Sequence, residues 1–379
     1  MKCWQIWYRV DKLKFMDAIK HLYVHVPFCA RECPYCGFYK HKNNRLDQIK
    51  NYLEVVPKEL AYWKQKFSFH PRTIYFGGGT PSILSVSQLE VFLSYFRWNG
   101  VEECTFECNP ATLSQEKADL LKKMGVNRIS LGAQAFEMYF LRILGRTHRR
   151  EHVQETMKRL RHAGFDNINI DLMFGLPDQT LEHWEQALRE AVALNPRHIS
   201  AYNLTFEEDT KFFKQREQGL WKNDEKLQSE MFLFAHDFLE QNGFTHYEIS
   251  NYAQTGYESI HNQAYWNGDD YLGLGPSGYS TLGNRRLENI ADTDAYIDFL
   301  QKNKIPRYAE EILSDQTKLF EKIFLGLRTR QGVEFDLLAP WKKQVEDLIR
   351  NQFAILRNER LMLTSQGFLL ADEISKIFA

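Results

Sequence analysis

The chain has few of the features that mark several common protein classes. No apolar run approaches the ~20 residues that a membrane-spanning helix needs. The first twenty residues mix charges among apolar side chains and lack the apolar centre of a secretory signal. The 48 Lys and Arg residues nearly balance the 49 Asp and Glu residues, so there is no electrostatic basis for nucleic-acid binding. We therefore expect a cytoplasmic protein with no transmembrane segment and no nucleic-acid partner.

Cysteine is also scarce, with six residues in 379, and this excludes a disulfide-dense scaffold. We find no internal repeat and no low-complexity segment. Hydrophobic residues make up 44% of the chain and charged residues 26%, as in an average globular protein. The aromatic share of 14% is high enough to build a large core or to line a pocket for a flat ligand.

Strand-like and helix-like segments alternate through the first two thirds of the chain. Short apolar-rich segments bounded by turn residues predict strands over 21–28, 73–78, 104–110, 128–134, 168–175 and 198–206. Helical patterns separate them, and three of these patterns run into a glycine suited to a helix C-cap, at Gly100, Gly125 and Gly164. Repeated strand–helix units predict a parallel α/β architecture, and six of them fit a partial (β/α)6 barrel.

The alternation of strand-like and helix-like segments breaks up towards the C-terminus. We predict an N-terminal extension over 1–20, a partial barrel over 21–245, a loop-rich extension with short strands over 246–310, and a small winged-helix-like domain over 311–379.

Three cysteines stand within eight residues, directly after the first predicted strand. Cys29, Cys33 and Cys36 have the spacing Cys-x3-Cys-x2-Cys. A structural zinc site and a 4Fe–4S cluster both usually take four ligands, so three thiolates in one loop leave one corner for a non-protein ligand. We favour the iron–sulfur interpretation and keep a zinc-stabilised binding protein as the alternative. Cys104 and Cys108 lie on a predicted strand, and we expect them to be packing residues.

Residues with polar or ionisable side chains, and one glycine run, follow at the ends of the later strands. The glycine run of FGGGTPS follows strand two, and consecutive glycines let a backbone approach a ligand closely. Glu107, Gln134 and Asp171 lie at or near the ends of strands three, four and five, and Arg146 comes shortly after strand four. Because the C-terminal strand ends of such a sheet open onto one face, we expect these groups to line one cavity.

The cysteine motif resembles the radical S-adenosylmethionine (radical SAM) superfamily. That resemblance implies a cluster whose open iron binds the amino and carboxylate groups of S-adenosylmethionine, with Gly78, Gly79 and Thr80 in its methionine-binding loop. The strings YVHVPFC, GGGTPS, GAQAF, LGRTH and NIDLMFGLP further resemble the oxygen-independent coproporphyrinogen III oxidase family. The family resemblance adds Tyr23, Tyr35 and Glu107 around the cluster and the first S-adenosylmethionine, and Gln134, Arg146 and Asp171 around a second adenosyl group. Ordinary aromatic packing is the alternative for the two tyrosines.

The family has an oxidase branch and a haem-chaperone branch, HemW, and three features favour the chaperone. The oxidases carry a further cysteine where this chain has Phe38, and they have a longer arm before the first strand. The strings HYEISNYA, HNQAYW and YLGLGPSGYS resemble those of the chaperones. The resemblance implies that the protein binds haem and passes it to acceptors, for example of a respiratory chain, with an electron donor and possible peripheral membrane contact. The alternative is the oxidase itself.

The sequence does not identify the residue that would ligate haem. The chaperone pattern usually has His where this chain has Tyr279, so we expect His261, in HNQAYW, to contact haem. The alternative for His261 is a hydrogen-bonded residue that stabilises a loop. His25 is expected to support the cysteine loop rather than to bind metal.

Overall fold

The computed structural model describes residues 18–41, 45–221 and 224–379. The predicted 1–20 extension, including Cys3, lies almost wholly outside the described residues. The strands are β1 (Ile19–Val26), β2 (Phe69–Gly78), β3 (Glu103–Cys108), β4 (Arg128–Gln134), β5 (Asn167–Phe174), β6 (His198–Asn203), β7 (Thr245–Glu248), β8 (Asn251–Ala253), β9 (Leu272–Leu274), β10 (Tyr279–Leu282), β11 (Arg285–Asn289), β12 (Arg307–Ile312), β13 (Val333–Glu334), β14 (Ala354–Arg357) and β15 (Arg360–Leu363).

Helices connect most of these strands. They are α1 (Leu46–Lys64), α2 (Val86–Ser94), α3 (Gln115–Lys123), α4 (Met138–Ile143), α5 (Arg150–His162), α6 (Leu181–Ala193), α7 (Lys211–Glu217), α8 (Glu225–Gln241), α9 (Ile260–Asn267), α10 (Thr293–Gln301), α11 (Asp315–Gly326), α12 (Lys342–Arg350), α13 (Ser365–Leu369) and α14 (Ala371–Lys376). Gly125 and Gly164 follow α3 and α5 with φ of 93° and 83°, as predicted, whereas α2 ends well before Gly100.

The central sheet has the strand order β7-β8-β6-β5-β4-β3-β2-β1-β9. Strands β1 to β6 and β9 are parallel, and β8 and β7 continue the sheet in antiparallel pairing. The six predicted strands correspond to β1 to β6, so the α/β prediction is confirmed. The sheet is open, with β7 and β9 at its two edges, and is a partial barrel rather than a closed one.

The two faces of β1 to β6 differ in polarity. The side chains that point towards the helices are mainly apolar and buried. The opposite face is mainly polar, with Met173, which pairs with Tyr202, as an apolar residue near its carboxyl end. We call this face the lumen; its polar residues and glycines are His21, Tyr23, His25, Thr73, Tyr75, Gly77, Glu103, Thr105, Glu107, Arg128, Ser130, Gly132, Asn167, Asn169, Asp171, His198, Ser200 and Tyr202. Cys104 and Cys108 lie on the apolar face, buried as expected.

The helix α9 closes one end of the lumen. It begins at the N-cap Ser259, and the carboxylate of Glu103 accepts hydrogen bonds from the backbone N–H groups of Ile260 and His261, at 2.9 and 3.0 Å. Residues around HNQAYW were predicted as loops with short strands, and this helix corrects that prediction. Its attachment to the first residue of β3 places it at the amino ends of the strands.

The C-terminal region continues the sheet edge and then forms a small domain. The backbone N–H of Ile249 donates to Arg328 O, and that of Arg330 donates to Tyr247 O, both at 2.9 Å. Around this junction, α11, α12 and α13 contact a three-stranded antiparallel sheet of order β13-β15-β14, and α14 packs on α11 and α13. Within the described part of the chain, no helix has the length and apolar character needed to cross a bilayer. The predicted domain boundaries stay predictions, although β7 and β8 belong to the central sheet.

Candidate functional site

The three cysteines lie in a loop that other elements hold from both sides. Their side chains are partly exposed. The backbone N–H of Cys36 donates to Cys33 O at 3.2 Å, and Lys40 Nζ donates to Cys36 O at 2.8 Å. On the other side, the N–H of Phe212 donates to Pro34 O at 3.0 Å. The loop is therefore fixed by its own turn and by the start of α7.

The glycine run docks directly on the cysteine loop. The N–H of Gly79 donates to Val26 O at 2.8 Å, and that of Thr80 donates to Phe28 O at 2.7 Å. The Thr80 hydroxyl donates to Cys29 Sγ at 3.5 Å. A Cβ at Gly79 would lie 2.6 Å from Phe28 O. Glycine is required here because the two loops touch, in addition to any approach by a ligand.

His25 supports this junction, as the sequence predicted. Its ring is buried, with Nε2 2.9 Å from Tyr39 O and Nδ1 3.1 Å from the Tyr23 hydroxyl. A Cβ at Gly78 would lie 2.6 Å from the His25 ring. Burial lowers the pKa of His25 to about 4, so the ring is neutral at physiological pH.

Burial favours the protonated form of two of the thiols, those of Cys29 and Cys36. Burial raises the pKa of Cys29 to about 11 and also raises that of Cys36. The Arg146 guanidinium lies close by, with Nη1 3.8 Å from Cys33 Sγ. Metal ligation requires thiolates, so binding of a cluster would release protons here.

Glu107 ends β3 and faces the lumen. The Tyr75 hydroxyl donates to Glu107 Oε1 at 2.8 Å. Burial is the main cause that raises the pKa of Glu107 to about 7, and the neighbouring Asp171 adds to it. Tyr23 lies beside this pair, with its ring centroid 6.0 Å from that of Tyr75. A carboxylate with such a pKa can accept hydrogen bonds from ligand hydroxyls once it is ionised.

Gln134 ends β4 in a strained conformation. Its φ is 66°, in the left-handed region that favours glycine, and the pairing with β5 shifts register between Gly132 and Gln134. Such strain in a non-glycine residue is characteristic of functional sites, where surrounding contacts hold the conformation. Here it turns the side chain of Gln134 back over Gly132, where its Nε2 would lie 3.0 Å from an added Cβ.

The Arg146 guanidinium has a hydrogen-bond donor that no described residue uses. Its Nη2 donates to Gly132 O at 2.6 Å, whereas its buried Nε has no hydrogen-bond partner among the described residues. A buried guanidinium with an unused donor suits a carboxylate or another acceptor. Arg146 thus meets a basic requirement for holding a carboxylate-bearing ligand next to the cysteine loop.

Asp171 lies opposite Gly132 in the pairing of β4 and β5. Its carboxylate accepts hydrogen bonds from Ser130 Oγ at 3.1 Å and from Asn169 Nδ2 at 2.7 Å. These contacts fix one orientation of the carboxylate. Asp171 thus lies on the same face of the sheet as Glu107, and the Gln134 side chain folds over Gly132 on that face.

Tyr35 and His261 have contacts that sequence reasoning could not specify. The Tyr35 ring packs against Phe212 at 6.3 Å between centroids, which fits the packing alternative as well as a cofactor role. His261 is 1% exposed, with Nδ1 2.6 Å from the Thr73 hydroxyl and Nε2 2.8 Å from the Tyr265 hydroxyl. Neither ring nitrogen of His261 is free to bind iron in this arrangement. Tyr279 lies on β10 and is 44% exposed.

Comparisons with known proteins agree with this geometry. Residues 23–191 match the family model of the radical SAM superfamily, and residues 313–370 match that of the HemN C-terminal domain. Proteins named "Heme chaperone HemW" are 35% identical in Lactococcus lactis and 33% in Bacillus subtilis. The alignments span 94% and 95% of this chain and 96% and 99% of those relatives.

The chain belongs to the HemW family. The relative of the same name in Escherichia coli is 31% identical over 94% of this chain and 97% of its own length. The solved structure of coproporphyrinogen III oxidase from Escherichia coli, a radical SAM enzyme, superposes with a TM-score of 0.82. It covers 96% of this chain and 90% of its own, but at 22% identity that likeness shows the shared fold alone.

Membership in the radical SAM superfamily implies a 4Fe–4S cluster and S-adenosylmethionine. Three thiols share one loop beside the unused Nε donor of Arg146 and near the Glu107 carboxyl, and these are the kinds of donor that both groups need. The superfamily match favours the cluster over the zinc alternative. Glu103, Arg128 and Thr73 lie deeper in the lumen, and no recognisable motif marks them in the sequence.

Proposed function

We propose that this protein binds haem and delivers it to acceptor proteins, as a radical SAM haem chaperone. The observation that carries the proposal is the 35% identity over 94% of the chain to a protein named for that activity. Phe38 supports it further: the side chain at this position of the cysteine loop is 70% exposed and is not a thiol.

In this proposal the cysteine loop holds the 4Fe–4S cluster on Cys29, Cys33 and Cys36. The cluster would supply an open iron and the electron that radical chemistry on S-adenosylmethionine requires. The residues proposed to hold S-adenosylmethionine lie around that loop or at the carboxyl ends of the strands: Tyr23, Tyr35, Gly78, Gly79, Thr80, Glu107, Gln134, Arg146 and Asp171. Arg146 supports the assignment with its unused Nε donor, and Glu107 with an acceptor beside the glycine run.

A haem contact at His261 would require the ring to leave Thr73 and Tyr265. Two neutral hydrogen bonds are worth ~1–3 kcal/mol together, so such a rearrangement is costly but attainable when a ligand compensates it. Replacing His261 by Ala and titrating haem tests this role separately from the chaperone function.

The test of the function is a haem titration of the anaerobically purified protein, followed by transfer to a haem-free acceptor. We expect saturable binding and transfer. Incubation with coproporphyrinogen III and S-adenosylmethionine should yield no protoporphyrinogen. Formation of protoporphyrinogen would replace the chaperone proposal by the oxidase, and the absence of saturable haem binding would refute it directly.

The proposal includes a cytoplasmic place of action, respiratory-chain acceptors, an electron donor for the cluster and peripheral membrane contact.

A further inference from the structure

A continuous row of polar groups crosses the closed end of the lumen. It begins at Asp269, whose side chain is 51% exposed and lies 3.9 Å from His21 Nε2. His21 Nδ1 is 2.9 Å from the Thr73 hydroxyl, which is 2.6 Å from His261 Nδ1. His261 Nε2 is 2.8 Å from the Tyr265 hydroxyl. His21, Thr73 and His261 are at most 2% exposed, so the row connects the surface with the interior.

Donor and acceptor roles along this row depend on the tautomers of the two rings. Asp269 faces His21 Nε2 across 3.9 Å, longer than a hydrogen bond, and because a carboxylate favours an N–H on the side that faces it, we assign the proton of His21 to Nε2. Burial lowers the pKa of both His21 and His261, so each ring is neutral and has one donor and one acceptor. His21 Nδ1 therefore accepts from Thr73. The Thr73 oxygen accepts from His261 Nδ1–H, and His261 Nε2 accepts from the Tyr265 hydroxyl.

The inner end of the row lies beneath the candidate site. The His261 ring is 5.2 Å from the Tyr75 ring between centroids, and Tyr75 donates to Glu107. The charge of Glu107 also acts on the Tyr265 phenol. The buried hydroxyl of Thr105, on the lumen face between Glu103 and Glu107, has no hydrogen-bond partner among the described residues, so the proposal places bridging water between Tyr265 and Glu107.

We propose that Asp269, His21, Thr73, His261 and Tyr265 form a proton path from the lumen to the surface at the amino ends of the strands. In this polarity, Tyr265 passes its proton to His261 and takes one from the lumen. His261, Thr73 and His21 each take one proton and give one, and Asp269 takes the last proton and releases it to water. No group changes oxidation state, and the row resets by rotation of the hydroxyls and tautomer exchange of the rings.

Such a path has a clear use in this fold. Glu107 is partly protonated near neutral pH and must lose that proton when a ligand takes it as an acceptor. A ligand bound at the carboxyl ends of the strands obstructs the mouth of the lumen. The opposite end then provides the exit. The proposal goes beyond haem delivery, and its test involves neither haem nor S-adenosylmethionine.

The test is nuclear magnetic resonance of the whole protein with ¹⁵N-labelled histidine. We expect His21 as the Nε2–H tautomer and His261 as the Nδ1–H tautomer. We also expect the ring N–H of His261 to exchange with water at least tenfold more slowly in Thr73→Val, which interrupts the row. His198 serves as the internal control, because it is fully buried and bonded to Asn169 and Tyr247, off the path.

Two further variants separate a path from a merely structural network. Thr73→Ser keeps the hydroxyl and should keep the wild-type exchange rate of His261. Asp269→Asn should slow exchange without affecting His198. An Nε2–H tautomer at His261, or unchanged or faster exchange in Thr73→Val, would overturn the proposal. If Thr73→Val fails to fold, the histidine tautomers of the wild-type protein and the His261 exchange rate in Asp269→Asn still test the proposal.

Discussion

Replacing Glu107 by Gln should stabilise the empty protein at alkaline pH while it damages the site. The pKa of this carboxyl is raised from 4.5 to about 7, mainly by burial, so the folded state binds a proton more tightly than the unfolded chain. Stability contributed by such a group is present below 4.5 and is lost as the pH rises through 7. At ~1.36 kcal/mol for each pH-unit difference in pKa, the ionised form costs the fold about 3 kcal/mol at pH 8, as an upper value.

The glutamine retains an acceptor for Tyr75 but loses the hydrogen bond that the Gly78 backbone gives to the carboxylate, worth ~1 kcal/mol. We therefore expect Glu107→Gln to be more stable than wild type by ~2 kcal/mol at pH 8, with most of the difference gone by pH 5.

The assay is denaturant unfolding of the cluster-free protein at both pH values, paired with S-adenosylmethionine binding to the reconstituted protein. Glu54→Gln, on an exposed glutamate of α1 with 58% of its side chain accessible, is the matched control and should change neither quantity. A Glu107→Gln protein that is less stable than wild type at pH 8 would refute the burial argument. Unchanged S-adenosylmethionine affinity would remove Glu107 from the proposed site.

Three further outcomes test the site. Cys33→Ala should abolish the brown colour and acid-labile sulfide of the anaerobically reconstituted protein, and a retained cluster would disprove the ligand assignment. Gly79→Ala should lower the free energy of unfolding by ~1–3 kcal/mol through overpacking and reduce the cluster content, because its Cβ meets Phe28 O. Denaturant unfolding measures the first effect and iron analysis the second. Wild-type values in both assays would show that the two loops do not touch. Gln134→Gly should relieve the left-handed strain and stabilise the protein by up to ~1 kcal/mol, yet weaken S-adenosylmethionine binding tenfold or more. Equal affinity in calorimetry would show that the strain serves no ligand.

The strands β1 to β6 could be predicted from the sequence because their apolar residues recur between turn signals, which is local information. Helix α9 could not be predicted in this way, because its stability comes from contacts with residues distant in the chain. Glu103 accepts hydrogen bonds from its first N–H groups although it lies 157 and 158 positions earlier in the chain, and Gly268 ends the helix with a φ of 73°. Its residues, rich in Asn and Gln, have little helical amphipathicity to indicate a helix.

The candidate site was likewise predictable only in part from the sequence. The cysteine spacing and the strand-end residues were found because motifs and parallel topology indicate them. The packing of Gly79 on Phe28 and the contact between Thr73 and His261 join segments 51 and 188 positions apart, and no spacing rule reveals such pairs. Polar residues alternate along β1 to β6 in the sequence, but only the fold shows that they all face one lumen.

The backbone pairing of Tyr247 and Ile249 with Arg330 and Arg328 gives the C-terminal region a second role. The open sheet would otherwise end at β7 with unpaired backbone donors and acceptors, and exposed edges of this kind recruit strands from other molecules. A protein truncated before residue 313 would lose this cover as well as its small domain. Aggregation of such a fragment would then reflect an uncapped edge and would say nothing about the chemistry at the other end of the strands.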